Sequence, residues 1–171
     1  DQADDMTLIT VTTWDLAGTV DVADAHAQIA SNSPVVYMNH DSIVLATQDW
    51  DLVPSDDTSN VADGTTVASN WTTTTELDYF AIDTANGEID FEGSGEILGT
   101  LIDRYSIDEQ DGVVRLATVA SQFNATQRVS NDIYTLQLND GALAEVGSIH
   151  GIAPGETIRS VRFAGDRAYV V

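Results

Sequence analysis

The chain has 171 residues, neither cysteine nor lysine, and 28 acidic residues against 6 basic ones, for a formal net charge of -22. So negative a surface repels phosphate backbones and anionic lipids, which disfavours nucleic-acid partners, and the absence of cysteine excludes disulfides and thiol nucleophiles. With 43% hydrophobic residues but no apolar run near the roughly 20 residues that span a bilayer, the composition predicts a single domain over residues 1–171 without membrane insertion.

The first predicted element is a β-strand over residues 8–15, which are rich in β-branched side chains. Residues 21–30 fit two different elements. A capping aspartate followed by apolar residues at helical spacing suits a short helix. The repeat described below instead places residues 26–31 in the slot filled by 89–94 and 143–148, and we therefore predict a strand.

A hairpin follows over residues 35–39 and 43–47, with turn residues at its centre. Its second strand is apolar on both faces, which predicts an inner strand near the axis of the assembly. Residues 54–75 are rich in Ser, Thr, Asp and Asn and lack periodicity. They predict a flexible surface insertion.

Two further hairpins are centred on Asn86-Gly87 and Asp140-Gly141, dipeptides 54 positions apart that tolerate the positive φ angles of tight turns. Residues 93–104 predict a connecting excursion between modules. Their counterpart in the last repeat is 151–156.

The remaining hairpins repeat the pattern of residues 35–47, at 105–118 around a turn at 109–112 and at 161–171 around Gly165-Asp166. Two kinds of hairpin thus alternate along the chain, and each occurs three times. Alternation of this kind is typical of a radially repeated sheet. We predict an all-β, β-propeller-like fold of about three four-stranded blades.

Four motifs, residues 91–99, 105–109, 114–118 and 153–169, carry a family resemblance, which is most specific from about Leu77 onward and weaker over residues 7–47. In these motifs the chain resembles secreted prokaryotic proteins with a β-propeller domain distantly related to WD repeats. The resemblance implies a propeller fold, an extracellular or cell-surface location and no established active site.

Three blades fall short of the four to eight that close a propeller. An open fan leaves sheet edges and apolar faces uncovered. We therefore expect either a fragment of a larger propeller or self-association through the exposed blade edges.

The three histidines, His26, His40 and His150, lie outside any metal-ligand spacing, and we interpret them as structural. The densest acidic cluster, residues 108–112, raises the possibility of a weak Ca²⁺ site. It lacks the remaining ligand positions of an EF-hand and coincides with a predicted turn.

The overall acidity has two interpretations, a solvated, salt-adapted surface of halophilic type or divalent-cation binding. We favour the first, because the acids are spread along the whole chain.

Two short motifs suggest chemistry only superficially. Gly93-Ser94-Gly95 lacks the spacing of a nucleophile elbow. The pairs Trp14-Asp15 and Trp50-Asp51 invite comparison with the Trp-Asp pairs that close WD blades. Aromatic packing between blades is the plainer interpretation.

We assign no catalytic, cofactor-binding or metal-binding residue from the sequence. The leading hypothesis is a non-catalytic scaffold, exported or displayed at the cell surface, that binds an unknown protein or glycan partner. The alternative is an enzyme, a hydrolase or lyase, with an acidic pocket in the propeller channel. Asp103, Asp108 or Glu109 would then act as general acid and base.

Overall fold

The computed structural model describes residues 7–17, 21–30, 34–53, 70–122 and 128–171, and these ranges contain thirteen β-strands and no helix. Accordingly, the described part of the chain offers no helical membrane span. The strands are β1 (Thr7–Asp15), β2 (Asp21–Ala30), β3 (Val35–Met38), β4 (Ser42–Val53), β5 (Asn70–Ile82), β6 (Ile89–Leu98), β7 (Thr100–Leu101), β8 (Ile107–Gln110), β9 (Val113–Gln122), β10 (Arg128–Asn139), β11 (Ala142–Ile149), β12 (Val161–Ala164) and β13 (Arg167–Val170).

Two four-stranded antiparallel blades form the centre of the fold. The first blade is the meander β3-β4-β5-β6, and the second is β8-β9-β10-β11, with β7 also pairing with β9. A single parallel pairing of Ala142 with Ser94 joins their outer strands.

Two hairpins flank these blades. We call β1-β2 the N-terminal half blade and β12-β13 the C-terminal half blade, because each forms a separate two-stranded sheet. The propeller-like fold is thus confirmed, with the predicted "about three" blades present as two complete blades and two halves.

The core lies between the blades because the central strands are buried on both faces. Along β4, Ile43 and Leu45 pack in one cluster with Ile9 and Val11 of the N-terminal half blade. The alternate residues of β4 face the second blade, in a cluster built from residues of both complete blades. That cluster contains Val44, Ala46, Leu77, Ile97, Leu101, Ile107, Val114, Leu116, Tyr134, Leu136 and Leu143.

The C-terminal half blade packs on the other face of the second blade, where Ala117, Ile158 and Val161 form a third cluster. The apolar strands predicted to be inner strands are therefore central within their sheets. The sheet edges beside them are formed by β3 in the first blade and by β7 and β8 in the second.

One β-bulge recurs in the N-terminal half blade and in the hairpins β5-β6 and β10-β11 of the two complete blades. The register shifts after Thr13 in β1, Tyr79 in β5 and Thr135 in β10. Thr135 donates a hydroxyl hydrogen bond across this bulge to the carbonyl of Gly147 (3.0 Å), and the hydroxyl of Thr13 lies 3.5 Å from the corresponding carbonyl of Asp24. The three hairpins can therefore be aligned residue by residue.

This alignment confirms the strand predicted over 21–30 but corrects its register. Asp24 lies opposite Thr13, as Gly93 lies opposite Tyr79. His26 consequently corresponds to Gly95 and not to Ile89. The prediction was misplaced because the hairpin loops differ in length, which repeat spacing alone does not show.

Two predicted loops are strands in the structure. Of the insertion expected over 54–75, residues 54–69 lie outside the described residues, whereas 70–75 belong to β5 and Thr73 to Thr75 are buried. The excursion expected from Gly93 is likewise wrong, because β6 continues to Leu98.

The two glycines of β6 have a packing role. A Cβ atom on Gly95 would lie 2.6 Å from the carbonyl oxygen and 2.8 Å from the Cβ of Leu143 in the second blade. Glycine at this position lets the backbones of the two blades approach each other directly. The Gly93-Ser94-Gly95 motif is therefore a point of contact between blades.

Two hydrogen bonds attach the N-terminal half blade to the first blade. Thr13 donates its hydroxyl to the carbonyl of Gly87 at 2.6 Å, and the amide of Ile89 donates to the carboxylate of Asp24 at 2.8 Å. This second bond, together with one from the Ala25 amide, lowers the pKa of Asp24 below its usual value.

Candidate functional site

Within a unit, the hairpin turns lie at one end because antiparallel strands alternate in direction. The turns of neighbouring units lie at the same end, since β6 and β11 run parallel and side chains at the inner turns bond across units. We call this end the turn face. Its inner part consists of His40-Asp41, Asp111-Gly112 and Gly165-Asp166, each between paired strands. Its outer part consists of residues 83–88 and Asp140-Gly141.

The tight turn predicted at Asp140-Gly141 is confirmed, and the turn predicted over 109–112 has the same form, whereas the tight turn predicted at Asn86-Gly87 is a longer loop. Asp111 and Gly112 have φ angles of 55° and 79°, and Asp140 and Gly141 have 49° and 82°. Two successive positive values define the tight hairpin turn that follows the twist of its strands. In the longer loop at 83–88, Gly87 alone adopts positive φ, at 82°.

A buried carboxylate ties the first and second blades together beneath the turn face. Glu109 accepts hydrogen bonds from the Asn39 side-chain amide, from the Ser42 hydroxyl at 3.0 Å and from the Gly112 amide at 2.7 Å. The Tyr37 hydroxyl donates to the Glu109 carbonyl at 3.3 Å. The Glu109 carboxylate therefore has a structural role, because three donors from two blades form hydrogen bonds to its oxygens.

Arg115, which is paired with Asp108 inside the second blade, links this blade to the C-terminal half blade. The guanidinium of Arg115 donates to the Asp108 carboxylate, with one bond of 2.9 Å from Nε, and another of its nitrogens donates to the Gly165 carbonyl. It also lies 5.5 Å from the ring centroid of Phe163. Side chains beneath the turn face thus link the first blade to the second, and the second blade to the C-terminal half blade.

The turn face is strongly negative. Asp41, Asp111 and Asp166 are exposed at the tips of three equivalent turns, and further exposed acids lie on the outer turns. The imidazole of His40 lies 2.6 Å from the carboxylate of Asp41. The arrangement presents carboxylates on a rigid frame, which suits the binding of a cationic group.

The acids considered for general acid and base catalysis each contact structural groups. Asp103 accepts a hydrogen bond from the Tyr105 amide at 2.8 Å and from the Ser106 hydroxyl at 3.4 Å. Asp108 pairs with Arg115, and Glu109 is bound as described above. Nowhere in the described ranges do three His, Cys, Asp or Glu side chains converge closely enough to hold a metal.

At the opposite end of the second blade, Asp132 organises the connection that follows β11. Its buried carboxylate accepts the Gly151 amide at 2.9 Å and the Ser130 hydroxyl at 2.7 Å, and lies 3.6 Å from the His150 imidazole. Neighbouring Asn131 donates to the carbonyls of residues 152 and 156, both at 2.8 Å. This polar pair anchors the otherwise irregular connection.

Tyr134 lies between these groups and the core. Its ring is 5.5 Å from that of His150, and its buried hydroxyl has no hydrogen-bond partner. Burial, and next the negative charge of Asp132, raise the pKa of Tyr134 to about 12. The neutral phenol is thereby favoured in the folded protein.

The other residues singled out from sequence are separated in the structure. His26 packs edge-on against the buried ring of Phe80, with centroids 4.8 Å apart. Trp14 and Trp50 are exposed. Three histidines therefore lie in three environments.

Two open clefts lie along the first blade. One, of about 390 Å³, runs over β5 and β6 beside Glu76 and Glu96. The other, of about 900 Å³, separates the end of the N-terminal half blade at Trp14 from the loop at Asn86. Neither brings together the candidate catalytic acids.

Sequence reasoning missed Asn39, Ser42, Arg115 and Asn131, whose side chains connect separate units. In the sequence they are ordinary turn or strand residues. The first and second inner turns are 71 positions apart in the repeat, so that Asn39 corresponds to Gln110. Only this repeat spacing could have indicated that Asn39 lies beside the acidic turn of the next blade.

Comparison with known proteins gives one family and two distant relatives. A family model described as "Beta propeller domain" matches residues 1–171. An uncharacterized protein of Methanocaldococcus jannaschii is 35% identical over 96 residues, which are 56% of this chain and 15% of that protein. An uncharacterized protein of Archaeoglobus fulgidus is 36% identical over 84 residues, 49% of this chain and 12% of that protein. The matches thus span a small part of either relative, and no solved structure gave a significant match.

Proposed function

The chain belongs to the beta propeller domain family, and on that premise we propose that it is a non-catalytic, exported scaffold that binds a partner through its turn face. The partner is a protein with a cationic segment, rich in Lys or Arg. The observation that carries this proposal is the presentation of Asp41, Asp111 and Asp166 at equivalent exposed turns of a cross-linked frame.

The rigidity of this frame supports binding over catalysis. Of the acids considered as catalysts, Glu109 holds the two complete blades together, and Asp108 pairs with Arg115, which also bonds to the C-terminal half blade. A carboxylate with several structural partners is poorly placed to exchange protons with a substrate. The exposed turn acids, in contrast, contact only side chains at the surface, and a cation can reach them without disturbing the structure beneath.

A charge-matched pair of triple variants tests the proposal. Asp41→Asn, Asp111→Asn and Asp166→Asn remove three charges from the turn face. Asp90→Asn, Glu92→Gln and Glu96→Gln remove three exposed charges from β6. Calorimetric titration with a short Lys- and Arg-rich peptide should show about tenfold weaker binding to the first variant and nearly unchanged binding to the second.

Equal losses in both triple variants would mean that the peptide responds only to net charge, and would overturn the proposed site. Absence of binding to the unmodified chain at low salt would overturn it as well. The export that belongs to the same proposal is tested by protease treatment of intact source cells, with degradation of the protein expected.

A further inference from the structure

Two guanidinium groups converge on one exposed tyrosine where the second blade meets the C-terminal half blade. Arg104 and Tyr105 lie in the loop before β8, and Arg162 lies on β12. The Cζ atom of Arg162 is 3.9 Å from the centroid of the Tyr105 ring, and that of Arg104 is 4.9 Å from it. We call these three residues the arginine-tyrosine cluster. The cluster lies at the opposite end of β8 from the turn Asp111-Gly112, and is therefore separate from the turn face.

The cluster concentrates positive charge in a chain whose net charge is -22. It contains two of the six basic residues of the sequence. The two guanidiniums repel each other, and the ring to which both are attracted carries no net charge to offset theirs. The ion pairs between described residues involve His40, Arg115 and His150 instead. A bound anion would offset both charges of the cluster at once.

The hydrogen-bond donors of the cluster are arranged around the phenol oxygen. Arg104 donates from Nη2 to this oxygen at 2.9 Å. Because the oxygen accepts this bond, the phenol can donate its own hydrogen to a further group. The Arg104 hydrogen bond and charge, and next the hydrogen bond and charge of Arg162, lower the pKa of Tyr105 below its usual value. An oxyanion beside the phenol oxygen would therefore meet donors from all three side chains.

The loop that carries Arg104 and Tyr105 is fixed by the neighbouring acid. The Asp103 carboxylate accepts the Tyr105 amide at 2.8 Å and the Ser106 hydroxyl at 3.4 Å. The Ser106 amide also donates to the Asp103 carbonyl at 3.0 Å. The Asp103 carboxylate is thus turned toward the backbone, and the phenol projects from an ordered turn. Such ordering before binding lowers the entropic cost of holding a ligand.

We propose that the arginine-tyrosine cluster binds a phosphate group that carries two negative charges. Two guanidiniums match this dianion in charge, and their planar sets of N–H groups suit its oxygens. A tetrahedral phosphate accepts hydrogen bonds from several directions, as donors on three side chains require, whereas a carboxylate has two oxygens in one plane. The group is either free phosphate or a phosphate monoester on a larger molecule. A nucleic-acid backbone is a poor ligand, because its other phosphates would meet the surrounding acids.

Calorimetric titration with inorganic phosphate at about pH 8 tests the proposal, because phosphate is then a dianion. The ionic strength is held at about 0.15 M, where a Debye length of about 8 Å screens the distant acids. We expect a dissociation constant on the order of 1 mM for the unmodified chain, and at least about tenfold weaker binding of acetate. Glycerol 3-phosphate separates the two sources. An affinity similar to that of inorganic phosphate supports a monoester ligand, and a much lower affinity supports free phosphate.

Substitutions in the cluster locate the binding site. Arg104→Gln and Arg162→Gln should each weaken phosphate binding about tenfold, because each removes a charged donor. Tyr105→Phe should weaken it about threefold, because it removes one uncharged donor. Arg167→Gln makes the same charge change at an exposed position of β13 next to the turn face, and should leave phosphate binding nearly unchanged.

Absence of phosphate binding to the unmodified chain would overturn the proposal, and so would acetate binding of equal strength. Equal losses in Arg167→Gln and in the two cluster variants would also overturn it, since phosphate would then respond only to net charge. Circular dichroism of each variant establishes that the fold is retained.

Discussion

Glu109 shows how a residue that looks catalytic can serve the fold. Its carboxylate is the shared acceptor for Asn39, Ser42 and Gly112. Glu109→Ala leaves these donors unpaired in a buried place, and should lower the free energy of unfolding by about 2 to 4 kcal/mol. Chemical denaturation measures this loss.

Asp111→Asn, at the adjacent exposed turn, is the control for Glu109 and should change stability little. Glu109→Gln, which keeps an acceptor oxygen, should recover part of the loss. If Glu109→Ala were as stable as the unmodified protein, the carboxylate would not be the structural link between blades that we describe.

Tyr134 makes the stability of the fold depend on pH in the alkaline range. Its pKa is raised to about 12 in the folded protein, against about 10 in an unfolded chain. The unfolded state therefore loses this proton first as the pH rises, and the stability contributed by the neutral phenol disappears between about pH 10 and pH 12. Tyr134→Phe should flatten the fall in melting temperature over this range.

At neutral pH, Tyr134→Phe should be neutral or slightly stabilising, because the hydroxyl that it removes is buried without a partner. Tyr37→Phe is the matched comparison. It removes a hydroxyl that donates to Glu109, and should cost about 1 kcal/mol. Equal melting profiles for the two variants would contradict the different environments described for these phenols.

Individual turn residues were predictable from sequence, whereas side-chain links between units were not. Asp140-Gly141 needs positive φ at both positions, and the dipeptide itself signals this. The partners of Glu109 lie about 70 positions earlier in the chain, and no local pattern joins them. Such contacts depend on how neighbouring blades stack.

At the scale of elements, the contact between β6 and the second blade depends on glycine. Gly95→Ala introduces a Cβ atom 2.6 Å from a backbone oxygen that cannot move independently. We expect a loss of about 1 to 3 kcal/mol in the free energy of unfolding, by overpacking. Ser94→Ala, on the adjacent exposed residue, should cost less than about 0.5 kcal/mol.

Thermal and chemical denaturation of these two variants provide the comparison. An unfolding free energy for Gly95→Ala equal to that of Ser94→Ala would show that the blades do not approach as closely as the backbone geometry requires.

Strand existence followed from sequence, but strand ends did not. Alternating apolar residues and turn dipeptides identified the hairpins. The ends were missed where a strand is polar yet buried, as at Thr73 to Thr75, or carries glycine because another backbone lies against it. The hydroxyl of Thr75 donates to the Gly99 carbonyl at 2.6 Å, which makes burial of this polar residue possible.

At the scale of the whole molecule, nearly all described acidic side chains lie at or near the surface. Among the acidic side chains that the structure describes, only Glu109 and Asp132 are buried. The remaining described carboxylates are exposed or half-buried, and the salt-adapted interpretation of this surface stays a prediction.

The binding of a cationic segment by the turn face is most directly tested by the salt dependence of the calorimetric titration with the Lys- and Arg-rich peptide. Added salt screens attraction between exposed charges, so binding through carboxylates weakens as the salt concentration rises. Asp41, Asp111 and Asp166 supply these exposed carboxylates at the inner turns.

The titration is repeated at several salt concentrations on the unmodified chain, the triple variant of the three turn acids and the triple variant of β6. The account predicts that the affinity of the turn variant depends much less on salt than that of the other two proteins. Equal salt dependence of the two triple variants would contradict binding at the turn face.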